Sequence, residues 1–126
     1  MRLLSHNFLC CLQCDSYPLA IDATAVVAMD VAYDAEFTRR MLARMDYGYL
    51  VAAYRALALK FPDSVRGGAL PDTIEGADLS DESEFLQVLH YAMNVIAVRD
   101  GELRCPSCST RYMVSDFIPN FVLENK

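Results

Sequence analysis

Four of the five cysteines stand in two Cys-x-x-Cys pairs, one near each end of the printed sequence. In each pair, the two-residue gap lets one tight turn present both sulfurs to the same tetrahedral ion. Together the pairs supply four thiolates, a ligand set that Zn²⁺ prefers and that leaves no position open for water or substrate. We therefore predict one structural zinc site, with the ligands Cys11, Cys14, Cys105 and Cys108.

The two pairs are unusual in their separation, since roughly 90 residues lie between Cys14 and Cys105. An ion bound by both pairs would close this long loop and hold together a small sheet built from the two ends of the chain. Asp15 and Ser109 follow the second cysteine of each pair, where a glycine often takes the positive-φ position of such a turn. The spacing agrees with a zinc knuckle, and these two residues depart from its usual pattern.

Other interpretations of the cysteines stay open. Cys10 could replace Cys11 as a ligand, although a three-residue gap to Cys14 is less usual. The cysteines could also be buried free thiols, or the redox pair of a thiol oxidoreductase. A thioredoxin-like site needs one dominant pair in a β-α-β context, whereas both pairs here stand in turn-prone, β-rich segments. Context therefore favours the metal site.

Composition excludes several classes of function. Hydrophobic residues make up 54% of the chain, but no apolar run approaches the roughly 20 residues needed to span a bilayer. The net charge of −6 opposes direct, tight binding of nucleic acid. A free-standing zinc-ribbon module that binds RNA is therefore only the alternative function.

Polar residues interrupt the apolar stretch at residues 2–12, so we expect no signal peptide. Five cysteines without a secretory signal favour a reducing compartment, so we expect the protein in the cytoplasm and also in the nucleus.

Apolar spacing predicts strands at both ends and helices between them. Strands are predicted at Arg2–Leu4, Leu19–Ile21, Ala25–Tyr33, Val95–Val98, Arg111–Val114 and Asn120–Leu123. Helices are predicted from Ala35 with Asp34 as N-cap, over Tyr47–Leu59 with Asp46 as N-cap, and from Phe85 to Ile96, where Asp81 with Glu84 three residues later resembles a capping arrangement. Phe61–Leu79 has the proline and glycine content of a loop, and Asp100-Gly101 is a tight-turn signal.

These elements predict an α+β fold. A small zinc-ribbon-like β-sheet lobe is formed by both chain ends, with an inserted three-helix block. The predicted zinc-binding β lobe comprises residues 1–33 and 95–126, and the inserted helical lobe comprises residues 34–94.

The segment Phe117–Leu123 is almost wholly apolar and is predicted to include a strand close to the end of the sequence. A strand at the edge of a sheet can be extended by a strand of another chain. Both of its faces could instead be buried inside the protein's own sheet. Sequence alone leaves these two interpretations open.

The opening Met-Arg-Leu-Leu-Ser-His-Asn-Phe-Leu, the closing Glu-Leu-Arg-Cys-Pro-Ser-Cys around Cys105 and the Ile-Pro-Asn-Phe-Val-Leu that starts at Ile118 resemble one family. It is the family of small methyltransferase-activating zinc subunits of tRNA-modifying complexes. The similarity extends over nearly the whole chain and includes the Met45-Asp-Tyr segment. Ser5 and Ser109 stand where Thr and Gly are commoner in that family.

The resemblance implies a subunit without activity of its own that binds, stabilises and activates class I S-adenosylmethionine-dependent methyltransferases as a heterodimer. It implies substrates among tRNA, ribosomal RNA and a translation release factor, and zinc at the four cysteines. The expected partner contacts are Asn7, Phe8, Leu9, Ile118, Pro119, Asn120, Phe121 and Val122. S-adenosylmethionine is expected on the partner, because this chain has no glycine-rich strand-to-helix turn of the kind that binds nucleotides.

Overall fold

The computed structural model describes residues 1–120. Along this part of the chain the elements are helix α1 (Leu3–Asn7), strand β1 (Ala20–Ala28), helices α2 (Ala35–Leu42), α3 (Tyr47–Lys60) and α4 (Glu84–His90), and strands β2 (Ile96–Arg104), β3 (Arg111–Ser115) and β4 (Ile118–Pro119). A π-helical turn, Tyr91–Val95, joins α4 to β2. Phe121 and Val122, two of the predicted partner contacts, lie outside the described residues, as does most of the predicted strand Asn120–Leu123.

The predicted fold class is confirmed. The four strands form one antiparallel sheet in the order β1-β2-β3-β4, and α2, α3 and α4 come between β1 and β2 in the chain. Residues of the helices and of the sheet share one hydrophobic cluster, whose fully buried members include Leu3, Leu19, Leu50, Leu86, Leu89, Met93, Ile96, Leu103 and Tyr112. The division into two lobes stays a prediction.

Side-chain caps explain where the central helices begin. The Asp34 carboxylate accepts the N–H of Phe37 at the start of α2, and the Asp46 carboxylate accepts the N–H of Tyr49 at the start of α3. Both caps were predicted. The predicted cap at Asp81 is wrong, because the Ser83 hydroxyl accepts from the N–H of Leu86 and α4 starts later.

The predicted strand at Arg2–Leu4 is also wrong, because the chain forms helix α1 there. Leu3, His6 and Asn7 are the buried residues of α1, and their spacing is that of one helical face. Arg2 alone makes an isolated bridge to Ala97 of β2. Three residues are too few to distinguish the two periodicities, so the sequence could not separate a strand from a helix here.

Strand β1 replaces two predicted strands, Leu19–Ile21 and Ala25–Tyr33, and it ends at Ala28. Its pairing with β2 is irregular: the register shifts between Ala23 and Ala25 and again between Ala25 and Val26. Such bulges bend a strand and increase its twist. The sheet edge formed by β1 is therefore not a flat, regular ladder.

The predicted tight turn at Asp100-Gly101 is wrong, since both residues lie within β2 opposite the irregular part of β1. Gly101 is nevertheless required, because a Cβ atom there would lie 2.6 Å from the carbonyl oxygen of Asp22. The hairpin turn comes later, at Asp116 and Phe117, which both have positive φ. Two such residues form the type I′ turn that suits the twist of paired strands.

The pattern of the remaining segments is as predicted: Arg111–Val114 lies in β3, and Phe61–Leu79 contains neither a helix nor a strand. Within residues 1–120, none of the helices combines the length and the apolar character needed to cross a membrane.

Candidate metal centre

The first cysteine pair forms a compact turn between α1 and β1. The backbone N–H of Cys11 donates to the carbonyl of Ser16, and the N–H of Asp15 donates to the carbonyl of Cys11, both over 2.9 Å. Inside the turn, the N–H of Gln13 points to the Sγ of Cys11 at 3.3 Å. Asp15 takes the positive-φ position, with φ of 61°. This backbone path brings the sulfurs of Cys11 and Cys14 to one side of the turn.

The second pair repeats this geometry between β2 and β3. Cys105 donates its N–H to the carbonyl of Thr110, and Ser109 donates to the carbonyl of Cys105, again over 2.9 Å. The N–H of Cys108 lies 3.5 Å from the Sγ of Cys105, and Ser109 has φ of 64°. Aspartate in one turn and serine in the other thus adopt the conformation in which glycine is commoner.

The two turns face each other and bring four sulfurs together. The Sγ atoms of Cys11, Cys14, Cys105 and Cys108 all lie within 4.8 Å of one another, close enough to bind one metal ion. Two of the distances from one turn to the other are 3.5 Å, between the Sγ atoms of Cys11 and Cys108, and 3.4 Å, between those of Cys14 and Cys105. Tetrahedral zinc with Zn–S bonds of about 2.3 Å requires sulfurs about 3.8 Å apart. A four-sulfur donor set of this size fits that ion.

Burial differs within the cluster. Cys11 and Cys105, the first cysteine of each pair, are fully buried, whereas Cys14 and Cys108 are exposed. The site therefore lies at the protein surface, with two sulfurs anchored in the core and two at the rim.

Tyr112 on β3 supports the centre and was not identified from the sequence as part of it. Its side chain is buried, and its hydroxyl lies 3.2 Å from the Sγ of Cys11 while it accepts the N–H of Leu12 over 2.9 Å. Strand β3, which follows the second cysteine turn, thus holds the backbone of the first cysteine turn through Tyr112. The only sequence signal was the inward position of a tyrosine on the strand that leaves the second cysteine pair.

Hydroxyl groups surround the exposed sulfurs. The Oγ of Ser16 lies 3.3 Å from the Sγ of Cys14, and the Oγ1 of Thr110 lies 3.0 Å from the Sγ of Cys108. Ser16 also donates to the hydroxyl of Ser107, over 3.0 Å, and so links the two turns directly. The thiol of Cys14 is thus the donor to Ser16, whereas the Thr110 hydroxyl can donate to a Cys108 thiolate and orient it toward an ion.

Hydrogen bonds around Cys11 favour its ionised form. Burial raises the pKa of its thiol, but hydrogen bonds from Tyr112 and from the backbone N–H groups of Gln13 and Cys14 outweigh burial and lower the pKa to about 6 from 9.0. The thiolate is the form of cysteine that binds metal ions. The surroundings of Cys11 thus favour its ligand form near neutral pH.

Cys10 is half-buried and lies outside the four-sulfur cluster, so the structure places Cys11 rather than Cys10 among the clustered sulfurs. The two histidines make packing contacts elsewhere. The Nε2 atom of His6 lies 2.7 Å from the carbonyl oxygen of Leu19, and that of His90 lies 3.0 Å from the carbonyl oxygen of Val31.

The predicted partner contacts occupy different environments. Asn7 is buried: its Nδ2 donates to the carbonyl of Asp46 and its Oδ1 accepts the N–H of Asp46, both over 2.8 Å. Phe8 and Ile118 are 54% and 67% exposed. Leu9 and Pro119 are half-buried, and Asn120 is exposed and donates its N–H to the carbonyl of Met113. Their role at an interface stays a prediction.

The chain is similar over nearly its whole length to known proteins. The chain is 32% identical over 127 residues to multifunctional methyltransferase subunit TRM112 homolog B of Arabidopsis thaliana, covering 98% of this chain and 96% of that protein. It is 32% identical over 126 residues to a TRM112-like protein of Caenorhabditis elegans, covering 97% of this chain and 95% of that protein. The TRM112 subunit of Saccharomyces cerevisiae is 25% identical over 138 residues, covering 98% of this chain and 96% of that protein.

Among solved structures, the chain is similar over its full length to a chain of the Mtq2–Trm112 complex of E. cuniculi, which is responsible for methylation of the eRF1 translation termination factor. The TM-score is 0.62 at 19% sequence identity, and all of that chain is covered. This similarity shows that the fold is shared. No protein-family model matches the chain.

Proposed function

The chain belongs to the family of TRM112 multifunctional methyltransferase subunits, and from this membership we propose that it activates and stabilises S-adenosylmethionine-dependent methyltransferases as their non-catalytic partner. The observation that carries the proposal is the four-sulfur cluster, because it joins the two ends of the sequence into one small sheet. That sheet is the platform on which a catalytic subunit would dock.

We propose that the cluster binds Zn²⁺ in a structural role. The donor set is four thiolates, which zinc prefers, and the sulfur separations suit a tetrahedral ion. Such an ion has no free coordination position, so it supplies stability and no chemistry. The residues of the two turns hold the sulfurs, and Tyr112 fixes one turn against the other.

Exposed apolar side chains support a docking role for the sheet. Met113 is 60% exposed and Ile118 is 67% exposed. Ser115 pairs with Ile118 across the strands, and Met113 is two residues from Ser115, so both apolar side chains lie on the outer face of the sheet. Near the first cysteine turn, Phe8 is exposed as well. Covering such side chains with a partner would remove apolar surface from water.

Catalysis would belong to the partner subunit, which would bind S-adenosylmethionine. The substrates that we propose are tRNA, ribosomal RNA and a translation release factor. The last of these agrees with the E. cuniculi complex, which methylates eRF1. In this arrangement the chain described here contributes contacts and stability, and the partner contributes the reacting groups.

The rival function, a zinc-ribbon module that binds RNA by itself, receives less support. Binding to a phosphate backbone requires a positive surface, whereas this chain carries a net charge of −6. Salt-dependent RNA binding by the isolated chain would favour that function.

Co-expression tests the proposal. A methyltransferase subunit that acts on a release factor should become soluble, bind S-adenosylmethionine and gain activity when it is produced together with this chain. The matched control is the variant Cys105→Ser, which lacks one ligand and should neither copurify nor activate. If the methyltransferase is equally soluble and active without the chain, the proposed function is wrong.

We also propose that the protein acts in the cytoplasm and also in the nucleus, because reduced thiols persist in both compartments. Fluorescence microscopy of a tagged chain in its native cells tests this location.

A further inference from the structure

Two arginines lie side by side on the outer face of the sheet. Arg104 of β2 and Arg111 of β3 are opposite each other in the ladder, and both are exposed. The next pair along the ladder, Cys105 and Thr110, is hydrogen bonded, so the arginine pair is a non-hydrogen-bonded one, whose side chains are closer together. Like charges opposite each other on adjacent strands are unfavourable. A pair in this position favours a bound anion.

The carboxylates beside these arginines already have cationic partners. Glu102 pairs with the Nε of Arg111 at 3.2 Å, and Asp22 pairs with the Nζ of Lys60 at 3.0 Å. Arg104 pairs through its backbone within the sheet, but its side chain makes no ion pair or hydrogen bond within residues 1–120. One positive charge on this face is therefore unmatched, although the chain as a whole carries −6.

The arginines border a hollow of about 330 Å³, which Ala20, Ile21 and the two ion-paired carboxylates, Asp22 and Glu102, also line. Guanidinium groups present several donors in a rigid fork, which suits phosphate oxygens. A single protein carboxylate can be satisfied by one such fork, whereas an RNA strand presents an anion at every nucleotide and can engage both guanidinium groups.

We propose that Arg104 binds a phosphate group of the RNA backbone when the chain is assembled with a methyltransferase that acts on RNA. Arg111 binds a neighbouring phosphate in exchange for its exposed ion pair with Glu102, since exposed ion pairs contribute little stability. This inference rests on the proposed function. One or two phosphate contacts cannot overcome the repulsion between RNA and a chain of net charge −6, so the site acts only within the heterodimer.

The test uses the complete heterodimer with an RNA methyltransferase. For Arg104→Gln we expect KM for RNA to rise about threefold near physiological salt, with kcat unchanged, and the slope of log KM against log salt concentration to fall by about 0.7 to 0.9. Arg111→Gln should act in the same direction. Arg104→Lys, which keeps the charge, should preserve most of the salt slope.

The matched control is Arg66→Gln, which removes an exposed arginine of the Phe61–Leu79 loop and should change neither KM nor slope. A heterodimer that methylates a release factor should be unaffected by Arg104→Gln, because that substrate has no phosphate backbone. An unchanged KM and slope for RNA, or equal losses for RNA and protein substrates, would overturn the phosphate site.

Two further outcomes separate this proposal from the proposed function. If Arg104→Gln no longer copurifies with the methyltransferase, the arginines contact the protein partner and the phosphate proposal is wrong, while the proposed function stands. If the unaltered chain activates no methyltransferase, the proposed function fails. The phosphate proposal, which requires the heterodimer, then fails with it.

Discussion

The hydroxyl of Tyr112 lies 3.2 Å from the Sγ of Cys11 and joins the second cysteine turn to the first. Both side chains are buried, so this contact is shielded from water. Because the same hydroxyl accepts the N–H of Leu12, one side chain satisfies a thiolate and a backbone donor together. The two turns therefore have a fixed relative position that depends on a residue other than the four cysteines.

Tyr112→Phe should weaken the metal centre without emptying it. The change leaves the N–H of Leu12 unpaired and removes a hydrogen bond to a thiolate, which costs about 1 to 3 kcal/mol of unfolding free energy. Zinc affinity should fall about 10- to 100-fold, as for other losses of groups that orient ligands. Urea unfolding and chelator competition measure the two effects. The control Tyr17→Phe, at a tyrosine that is 58% exposed, should change neither.

Cys105→Ser should expel the metal and unfold the sheet. Cys105 is fully buried, and the binding free energy of a structural zinc ion is part of the folding free energy. We expect the zinc content to fall from one ion per chain to nearly none, with loss of the β-sheet signal in circular dichroism. Cys10→Ser makes the same chemical change one residue outside the cluster and should keep both. Retention of zinc by Cys105→Ser would contradict the ligand set.

The sequence predicted those parts of this metal centre that depend only on residues close together in the chain. The spacing of Cys11 to Cys14 and of Cys105 to Cys108 is set by one turn, and a turn is visible in four residues. The role of Tyr112 depends on the packing of β3 against a turn about 100 residues earlier in the chain, and no spacing rule reports such a contact.

The same distinction applies to the fold. Asp34 and Asp46 were predicted as caps because a cap acts on the N–H three residues later. Asp100-Gly101 has the local signature of a turn, but pairing with β1 keeps it extended, since the surrounding sheet contributes more than a dipeptide preference. Long-range pairing thus decided the elements that local patterns predicted wrongly.

Gly101→Ala should disrupt the pairing of β1 with β2. The added Cβ would lie 2.6 Å from the carbonyl oxygen of Asp22 and 2.8 Å from the Cα of Ala23, and backbone atoms cannot move aside as a flexible side chain can. We expect a loss of about 2 kcal/mol or more in unfolding free energy. Gly48→Ala in α3 is the control, because its Cβ would meet nothing closer than 3.4 Å and alanine favours a helix. A loss equal to that of the control would contradict the clash.

His6 should make the protein less stable in mild acid. Burial lowers the pKa of His6 below 6.5, and the hydrogen bond to the carbonyl of Leu19 opposes this shift only in part. At a pH below 6.5 the unfolded chain binds a proton that the folded chain does not, so acidification favours unfolding. The contribution of neutral His6 to the free energy of unfolding is complete above pH 6.5. It declines as the pH falls toward the pKa of His6 in the folded chain, by up to about 1.4 kcal/mol per pH unit.

His6→Gln tests this pH dependence, because glutamine keeps an amide donor for Leu19 but does not titrate. Unfolding free energies of both proteins are measured between about pH 7.5 and 5.5, about one unit to either side of the ordinary histidine pKa of 6.5. Protonation of the thiolates affects both proteins equally, so the difference between them reports His6. The advantage of wild type over the variant should shrink as the pH falls, and a constant difference would contradict the assignment.

Asn7 and Phe8 are adjacent, and the structure separates their expected roles. The Nδ2 and Oδ1 atoms of Asn7 are both hydrogen bonded to the backbone of Asp46. Asn7→Ala should therefore cost about 2 kcal/mol of unfolding free energy, at about 1 kcal/mol for each hydrogen bond.

Phe8 is 54% exposed, so Phe8→Ala should change stability by no more than about 0.5 kcal/mol. It should weaken binding to the methyltransferase by about tenfold or more if Phe8 anchors the interface, since exposed aromatic residues often dominate binding energy. Thermal unfolding of the isolated chain and a binding titration with the catalytic subunit measure the two effects separately. Loss of stability in Phe8→Ala, or undiminished binding by it, would remove Phe8 from the interface, and a fully stable Asn7→Ala would contradict the bridge from α1 to α3.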